Sequence, residues 1–135
     1  MHHRLTPPDS ITPIRDADHL DELLAASREQ PVLLFKHSQS CGTSFEALDE
    51  IVAHSSRHDN VCRGDVRATP GVVYAIVVVQ EDRELSNTIA RRFGVRHETP
   101  QVILLRDGQA VWSASHFRIN MRTLDQALAI AVPAT

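Results

Sequence analysis

The sequence predicts an α/β fold in which a central mixed β-sheet is flanked by helices. Two short, continuous apolar runs, 31–35 and 72–79, are typical of strands that are buried on both faces of a sheet. Each run is followed by apolar residues at helical spacing, as parallel strands joined by helical crossovers require. Asp107-Gly108 lies between two further apolar runs and is a dipeptide that favours a β-hairpin. Parallel and antiparallel strands are therefore expected in one sheet.

Helices are predicted on both sides of these strands. Pro31 ends the first helix, Gly94 ends the third, and Asn120 offers an N-cap to the last. Polar residues 55–60 are expected to end the second helix, and residues 61–71 to form a loop or a short strand. The helical spacing of apolar residues gives the ranges 16–29, 42–54, 85–93 and 121–132.

The order of these elements indicates the architecture. A strand–helix–strand–helix block followed by a hairpin and a closing helix is the order of the thioredoxin fold, and here an extra N-terminal helix precedes it. The chain has 135 residues, of which 42% are hydrophobic, so it can build one core. We expect residues 11–135 to form a single thioredoxin-like domain and residues 1–10 a flexible N-terminal segment.

Charge and hydropathy exclude several classes of partner. The formal net charge is −3 at pH 7, whereas nucleic acids and anionic membrane surfaces attract clustered Lys and Arg. No stretch approaches the ~20 apolar residues of a membrane-spanning helix, and the N-terminus lacks the apolar core of a secretion signal. We therefore expect no nucleic acid, no membrane and a cytoplasmic location, while the oligomeric state is not indicated.

Cys41 lies where the predicted fold would place a ligand. It follows the first buried strand and directly precedes a helix, and ligands of open α/β sheets bind beyond the carboxyl ends of the strands. Unpaired N–H groups and the positive end of the helix dipole favour the thiolate, which is the form that attacks a disulfide. Because a reducing compartment makes a structural disulfide unexpected, Cys41 is the candidate nucleophile.

The residues after Cys41 indicate the type of thiol chemistry. Gly42 permits a close approach of the chain, while Thr43 and Ser44 carry hydroxyl groups that can donate hydrogen bonds to sulfur. Ser44 stands where a second cysteine would complete a Cys-x-x-Cys motif. A mixed disulfide on Cys41 must then be resolved by another molecule, so monothiol exchange is expected.

Three segments of the chain resemble the monothiol bacilliredoxins, which are small thioredoxin-like proteins of the bacillithiol system. The segments are PVLLFKHSQSCGTSFEAL, RELSNTIARRFGVRHETPQVILLRDG and VWSASHFRIN, and the resemblance covers residues 13–128. Phe-Lys-His-Ser, Arg-His-Glu-x-Pro-Gln and Ser-His occur in the family's order. Members usually have Cys-Pro-x-Ser, so Gly42 stands in the place of Pro, and Thr99 stands where Ser is common.

The resemblance implies a reaction. Cys41 would attack the disulfide of a bacillithiol-capped protein, release the protein thiol and carry the bacillithiol until a second low-molecular-weight thiol or a reductase removes it. No bound cofactor and no metal are implied. Bacillithiol is a co-substrate, and S-thiolated client proteins are the expected partners.

The resemblance also implies which residues form the site. Cys41, Ser44 and Pro100 would be catalytic, with the bond before Pro100 cis and facing the cysteine, as in thioredoxin-like proteins. The predicted strand ends bring other residues beside Cys41, and these are candidates for binding the thiol: His37, Gly42, Thr43, Arg96, His97, Thr99, Ser115 and His116.

Two other functions remain open. Monothiol glutaredoxins, which handle glutathione or an iron–sulfur cluster, have Cys-Gly-Phe-Ser where residues 41–44 are Cys-Gly-Thr-Ser. A non-enzymatic thioredoxin-like interaction domain would need no reactive thiol at all.

A metal site is a weaker interpretation. His54, His58 and Cys62 recur at every fourth residue, but three ligands without a fourth, at an expected helix exit, favour a solvated surface. Cys62 is also considered as a resolving thiol for Cys41, which requires the two Cα atoms to lie within about 7 Å.

Overall fold

The computed structural model describes residues 11–64 and 71–131, without the side chains of 57–64 and 131. Strands and helices alternate along it until the final hairpin, where two strands follow each other. Strands β1 to β5 are Ile11–Pro13, Val32–His37, Val73–Val78, Gln101–Arg106 and Gln109–Ser115. Helices α1 to α4 are Ala17–Ala26, Gly42–Gly64, Arg83–Phe93 and Met121–Ala131, and a short 3-10 helix, His116–Arg118, follows β5. The segments expected at residues 1–10 and at Val132 lie outside the described residues.

The strands form one five-stranded sheet in the order β1-β3-β2-β4-β5. Strands β1 and β2 run parallel to β3, whereas β4 is antiparallel to both β2 and β5. The mixed sheet predicted from the sequence is therefore confirmed. Strand β1 was not predicted, because it has three residues and buries only Ile11, too short a run for a periodic signal.

Local signals fixed several element ends as predicted. The Asn120 side chain accepts a hydrogen bond from the Thr123 N–H at 3.0 Å and caps α4. Gly94 ends α3 in the left-handed conformation, with φ of 63°. Asp107 and Gly108 also have positive φ, as the two-residue turn of the hairpin requires.

The predicted end of the second helix is wrong, because α2 continues to Gly64. Ser55 was expected to favour an exit, since serine side chains compete for backbone hydrogen bonds. Instead its hydroxyl donates to the Val52 carbonyl at 2.9 Å, within the helix itself, and the side chain is buried. Residues 61–64 are thus helical rather than loop, and residues 65–70 lie outside the described residues.

Buried apolar side chains pack on both faces of the sheet. One core lies against α2 and α4 and includes Leu33, Phe35, Leu48, Ile51 and Leu124. The other lies against α1 and α3 and includes Leu20, Leu34, Leu85, Ile89 and Ile103. Strand β2 is buried along its whole length and its side chains alternate between the two cores. No helix in the described ranges is both long enough and apolar enough to cross a membrane.

Candidate functional site

The site lies at one end of the strands, not beside an outer strand. We call this end of the sheet the site edge. It is the edge where β2 ends and β4 begins: Lys36 on β2 is paired with Gln101 on β4, and Gln101 is paired with Ser115 on β5. The antiparallel register therefore brings the end of β2, the start of β4 and the end of β5 together. The sequence candidates on these segments were expected to converge here, and the backbone places them at the same edge.

Cys41 directly precedes α2 at this edge and is partly exposed. Its N–H donates to the Ser38 carbonyl at 3.4 Å, and its own carbonyl accepts from the Ser44 N–H at 3.1 Å. The cysteine is thus held at the start of the helix, where backbone N–H groups are unpaired and negative charge is favoured. A thiolate at this position is accessible to a disulfide from solvent.

Ser44 lies in the first turn of α2, three residues after Cys41, and is fully buried. Its hydroxyl oxygen accepts from the Ser38 N–H at 2.9 Å and is 2.8 Å from Nδ1 of His37. The hydroxyl therefore ties the end of β2 to the first turn of α2. In the described part of the chain the Ser44 hydroxyl makes these two bonds and none to the Cys41 sulfur, so its contribution to the site is to hold the turn on which Cys41 lies.

His37 is also fully buried, although the sequence made it a candidate for contact with the thiol substrate. Its ring packs edge-on against Phe45 of α2, with 4.8 Å between the ring centroids. Burial lowers the pKa of His37, and the hydrogen bond with Ser44 raises it by less, so the neutral imidazole is favoured. Nε2 is buried with no hydrogen-bond partner among the described residues. His37 therefore reaches the site through Ser44 and not through direct contact with a ligand.

Gly42 does not make the close approach that the sequence suggested. A Cβ atom at this position would have no neighbour within 4 Å, and the residue is exposed. The glycine therefore leaves open space beside the cysteine instead of accommodating a tight contact.

The loop before β4 lies at the same end of the sheet, beside the end of β2. Its Thr99–Pro100 peptide bond is cis, which is the isomer expected from the sequence. Pro100 is buried and Thr99 is half-buried. The Gln101 side-chain amide donates to the Arg96 carbonyl at 2.8 Å, and the Pro100 carbonyl accepts from the His116 N–H at 3.1 Å. These bonds fix the loop on both sides of the proline.

His97 lies in the same loop and contacts a residue that the sequence analysis did not assign to the site. Nδ1 of His97 is 3.1 Å from Nζ of Lys36, whose side chain is fully buried. Burial lowers the pKa of Lys36 from its ordinary value of 10.5 to about 8. Burial, and next the charge on Lys36, lower the pKa of His97. A lysine at the end of an otherwise apolar strand was the signal available in the sequence.

Gln80 is a second residue that the sequence analysis missed. Its amide nitrogen donates to the Ser38 hydroxyl at 2.9 Å and to the Ser40 hydroxyl at 3.2 Å, while its amide oxygen accepts from the Gln39 N–H at 3.0 Å. One side chain thus holds the three residues before Cys41. Its position, directly after the apolar run 72–79, was the only indication in the sequence.

A groove of about 140 Å³ runs between α2 and the short 3-10 helix. Thr43 and His116 lie on its two sides, and His116 has a positive φ of 56°. Two carboxylates of α2, from Glu46 and Glu50, also line it. Phe117 also lines the groove and is 78% exposed. Of the residues expected to bind the thiol, the structure therefore places Thr43 and His116 in a groove near Cys41, while Arg96 and His97 lie on the loop before Pro100.

The metal-site interpretation loses its first ligand. Nε2 of His54 is 2.9 Å from the Asp125 carboxylate and Nδ1 is 2.6 Å from the Tyr74 hydroxyl, so both ring nitrogens are engaged. Among the residues with described side chains, no cluster of His, Cys, Asp and Glu could hold a metal ion. The side chains of His58 and Cys62 fall outside that set.

The geometry of α2 also bears on Cys62 as a resolving thiol. Cys62 lies near the end of the 23-residue helix that begins immediately after Cys41. At 1.5 Å per residue the two cysteines are about 30 Å apart along the helix axis, whereas a disulfide needs Cα atoms within about 7 Å. Cys62 of the same chain is therefore out of reach of Cys41.

Solved structures that match nearly the whole chain share the thioredoxin fold. A protein suggested to be an oxidoreductase with a thioredoxin fold is 26% identical, with a TM-score of 0.73 over 87% of this chain and 93% of that one. A mutant thioredoxin from Halobacterium salinarum is 16% identical, with a TM-score of 0.68 over 98% and 99% of the two chains. A mutant thioredoxin h from poplar is 18% identical, with a TM-score of 0.70 over 98% and 92%. The chain is a thioredoxin-fold protein, as its sequence predicted.

The family follows from a match to the sequence itself. The family described as "Monothiol bacilliredoxin BrxC" matches residues 12–124. The chain therefore belongs to the monothiol bacilliredoxin family, which confirms the resemblance carried by its three sequence segments. Family and fold together point to a thiol–disulfide oxidoreductase.

Proposed function

We propose that this protein is a monothiol disulfide oxidoreductase that removes bacillithiol from mixed disulfides on client proteins through Cys41. The position of Cys41 carries the proposal: it is partly exposed at the start of α2, and the residue three positions later is the buried Ser44, not a second thiol. Membership of the bacilliredoxin family supports bacillithiol as the co-substrate. A reducing, cytoplasmic compartment suits a reaction that depends on a free thiol.

The reaction is an exchange of disulfide bonds. The Cys41 thiolate attacks the bacillithiol sulfur of the mixed disulfide, a Cys41–bacillithiol disulfide forms, and the client protein leaves as a thiolate that takes a proton from solvent. A second low-molecular-weight thiol then attacks the bacillithiol sulfur and returns Cys41 to the thiolate. This second thiol must come from outside the chain, because Ser44 replaces a resolving cysteine and Cys62 is out of reach.

The surrounding residues have distinct roles in this proposal. Ser44 and the buried His37 hold the turn that carries Cys41, and Pro100 shapes the substrate-binding loop before β4. Bacillithiol is contacted by exposed or half-buried groups around Cys41. These are Thr43, Arg96, His97, Thr99, Ser115 and His116. Gly42 contributes open space beside the sulfur.

Intact mass spectrometry tests the proposal. Wild type, Cys41→Ser and Cys62→Ser are each mixed with oxidised bacillithiol and, separately, with oxidised glutathione. We expect one bacillithiol adduct on wild type and on Cys62→Ser, and none on Cys41→Ser. An adduct with glutathione alone would favour the glutaredoxin interpretation. An unreactive wild type would favour an interaction domain instead.

A further inference from the structure

Lys36 is a buried cation for which the described residues offer no carboxylate. Its side chain is fully buried at the end of β2. The ion pairs between described residues join Arg15 to Glu22, His54 to Asp125 and Arg92 to Asp21, and none of them includes Lys36. Buried charges are normally paired, because an isolated charge is strongly disfavoured away from water. A lysine retained in this position therefore needs an explanation outside packing.

The hydrogen bond of Lys36 determines the tautomer of His97. A lysine ammonium has three donors and no acceptor, so Nδ1 of His97, 3.1 Å away, must accept. The Ser86 hydroxyl oxygen is 3.4 Å from the same nitrogen, Nδ1 of His97. A neutral imidazole that accepts at Nδ1 carries its proton on Nε2. The His97 residue is exposed, so this N–H is available on the loop that leads to Pro100.

The position of the charge strengthens that donor. The ammonium lies on the buried side of the ring, where surrounding apolar side chains screen it less than water does. It polarises the imidazole toward the exposed Nε2–H. Arg96 lies next to His97 and is also exposed, so the loop carries two adjacent exposed donors. The Gln101 side chain holds the backbone here by donating to the Arg96 carbonyl. Donors of this type bind carboxylates through charge-assisted hydrogen bonds.

We propose that Lys36 is a positioning residue that fixes His97 as an Nε2–H donor for a carboxylate of the low-molecular-weight thiol. The inference rests on the proposed function and adds a specificity to it: the protein selects thiols that carry a carboxylate over uncharged ones. Lys36 does not contact the thiol. It acts on the thiol only through the imidazole.

Nitrogen-15 NMR of the histidine side chains tests the first step. The wild type should show His97 as the Nε2–H tautomer, and Lys36→Met should shift it toward a mixture of tautomers. Arg91→Met is the matched control, because it removes a cation from the exposed last turn of α3, at the opposite end of that helix from Ser86. An unchanged His97 tautomer in Lys36→Met would overturn the inference.

Single-turnover kinetics test the second step with two small disulfides. Oxidised 3-mercaptopropionate carries carboxylates, and hydroxyethyl disulfide is an uncharged compound of similar size. The ratio of their rate constants with Cys41 should fall about tenfold in His97→Ala, the loss expected for one hydrogen bond to a charged group. It should fall by a smaller factor in Lys36→Met, because part of the imidazole then remains in the Nε2–H form. The ratio should not change in Arg91→Met.

A double-mutant cycle shows whether Lys36 acts through His97. His97→Ala should lower the ratio more than Lys36→Met does, and the double variant should lower it no further than His97→Ala alone. Additive effects, or an unchanged ratio in Lys36→Met, would overturn the inference while leaving the thiol exchange of Cys41 intact. A wild type that reacts with neither these disulfides nor oxidised bacillithiol would instead overturn the proposed function.

Discussion

Replacing Lys36 by methionine should make the protein more stable at neutral pH. Burial lowers the pKa of Lys36 from 10.5 to about 8. A fall of this size corresponds to an unfavourable contribution of roughly 3 kcal/mol to folding, as an upper limit. Methionine has a similar length, is apolar and adapts to irregular spaces in a core. The substitution removes the buried charge without leaving a cavity.

One interaction is lost in the same substitution. The hydrogen bond from Lys36 to His97 would disappear, and a bond that involves a charged group contributes about 1.5–3 kcal/mol. The exposed His97 can replace it with water, so most of that loss is recovered. We therefore expect Lys36→Met to gain about 1–2 kcal/mol in unfolding free energy, within the range seen when buried charges are replaced by apolar residues.

The gain should depend on pH with a definite sign. Below pH 8 Lys36 is charged in both the folded and the unfolded state, so the full penalty is present in the wild type. Between the folded pKa of about 8 and the ordinary value of 10.5, the unfolded chain binds more protons, and wild-type stability rises with pH relative to the variant. The advantage of Lys36→Met should thus be largest at pH 8 and below, and shrink toward pH 10.5.

Urea unfolding measures this difference directly. The single tryptophan, Trp112, is half-buried and packs against the core, so its fluorescence reports unfolding. Wild type, Lys36→Met and the control Arg91→Met are compared at pH 7, at pH 9 and close to pH 10.5. A variant that is less stable than the wild type at pH 7, or a difference that stays constant with pH, would refute the reasoning.

Two further substitutions and one spectroscopic comparison test the site. Ser44→Ala should lower the unfolding free energy by about 1–3 kcal/mol, because the buried Ser38 N–H loses its acceptor. The control Ser56→Ala, at an exposed position, should not change it, and equal unfolding free energies of the two variants in urea would contradict the prediction. Gly42→Pro should raise the unfolding free energy by about 0.4–1 kcal/mol, because proline fits the first turn of a helix. A lower unfolding free energy would show that the backbone at residue 42 does not accept proline without strain. His37 should titrate below its ordinary pKa of 6.5 in NMR; a midpoint at or above 6.5 would contradict the effect of its burial on the pKa.

The fold was predictable where the signal is local. The Asp107-Gly108 turn, the Asn120 cap and the Gly94 stop each depend on a residue's own conformational preference, and each is found where expected. The end of α2 was not predictable in this way. Ser55 is polar, but its hydroxyl bonds within the helix, and its burial depends on tertiary packing that the local pattern does not contain.

The site divides in the same manner. Cys41 and Ser44 follow from a motif of four adjacent residues, and Pro100 follows from its place before a predicted strand. The role of Lys36 depends on His97, which lies 61 positions later in the chain. A lysine at the end of an apolar run is also what the exposed exit of a strand looks like, so the sequence alone gave no reason to bury it.

Lys36 and His37 together show how one strand end organises the two sides of the site. They are adjacent on β2, so their side chains point to opposite faces of the sheet. His37 contacts Ser44 and supports the turn that carries Cys41, while Lys36 contacts His97 in the loop that carries Pro100. Each is a titratable group held in a core, where the burial of a polar group costs free energy unless it is hydrogen-bonded, and where a charge costs most. The stability lost to the buried charge of Lys36 is the expected consequence of anchoring both the Cys41 turn and the Pro100 loop on a single buried strand.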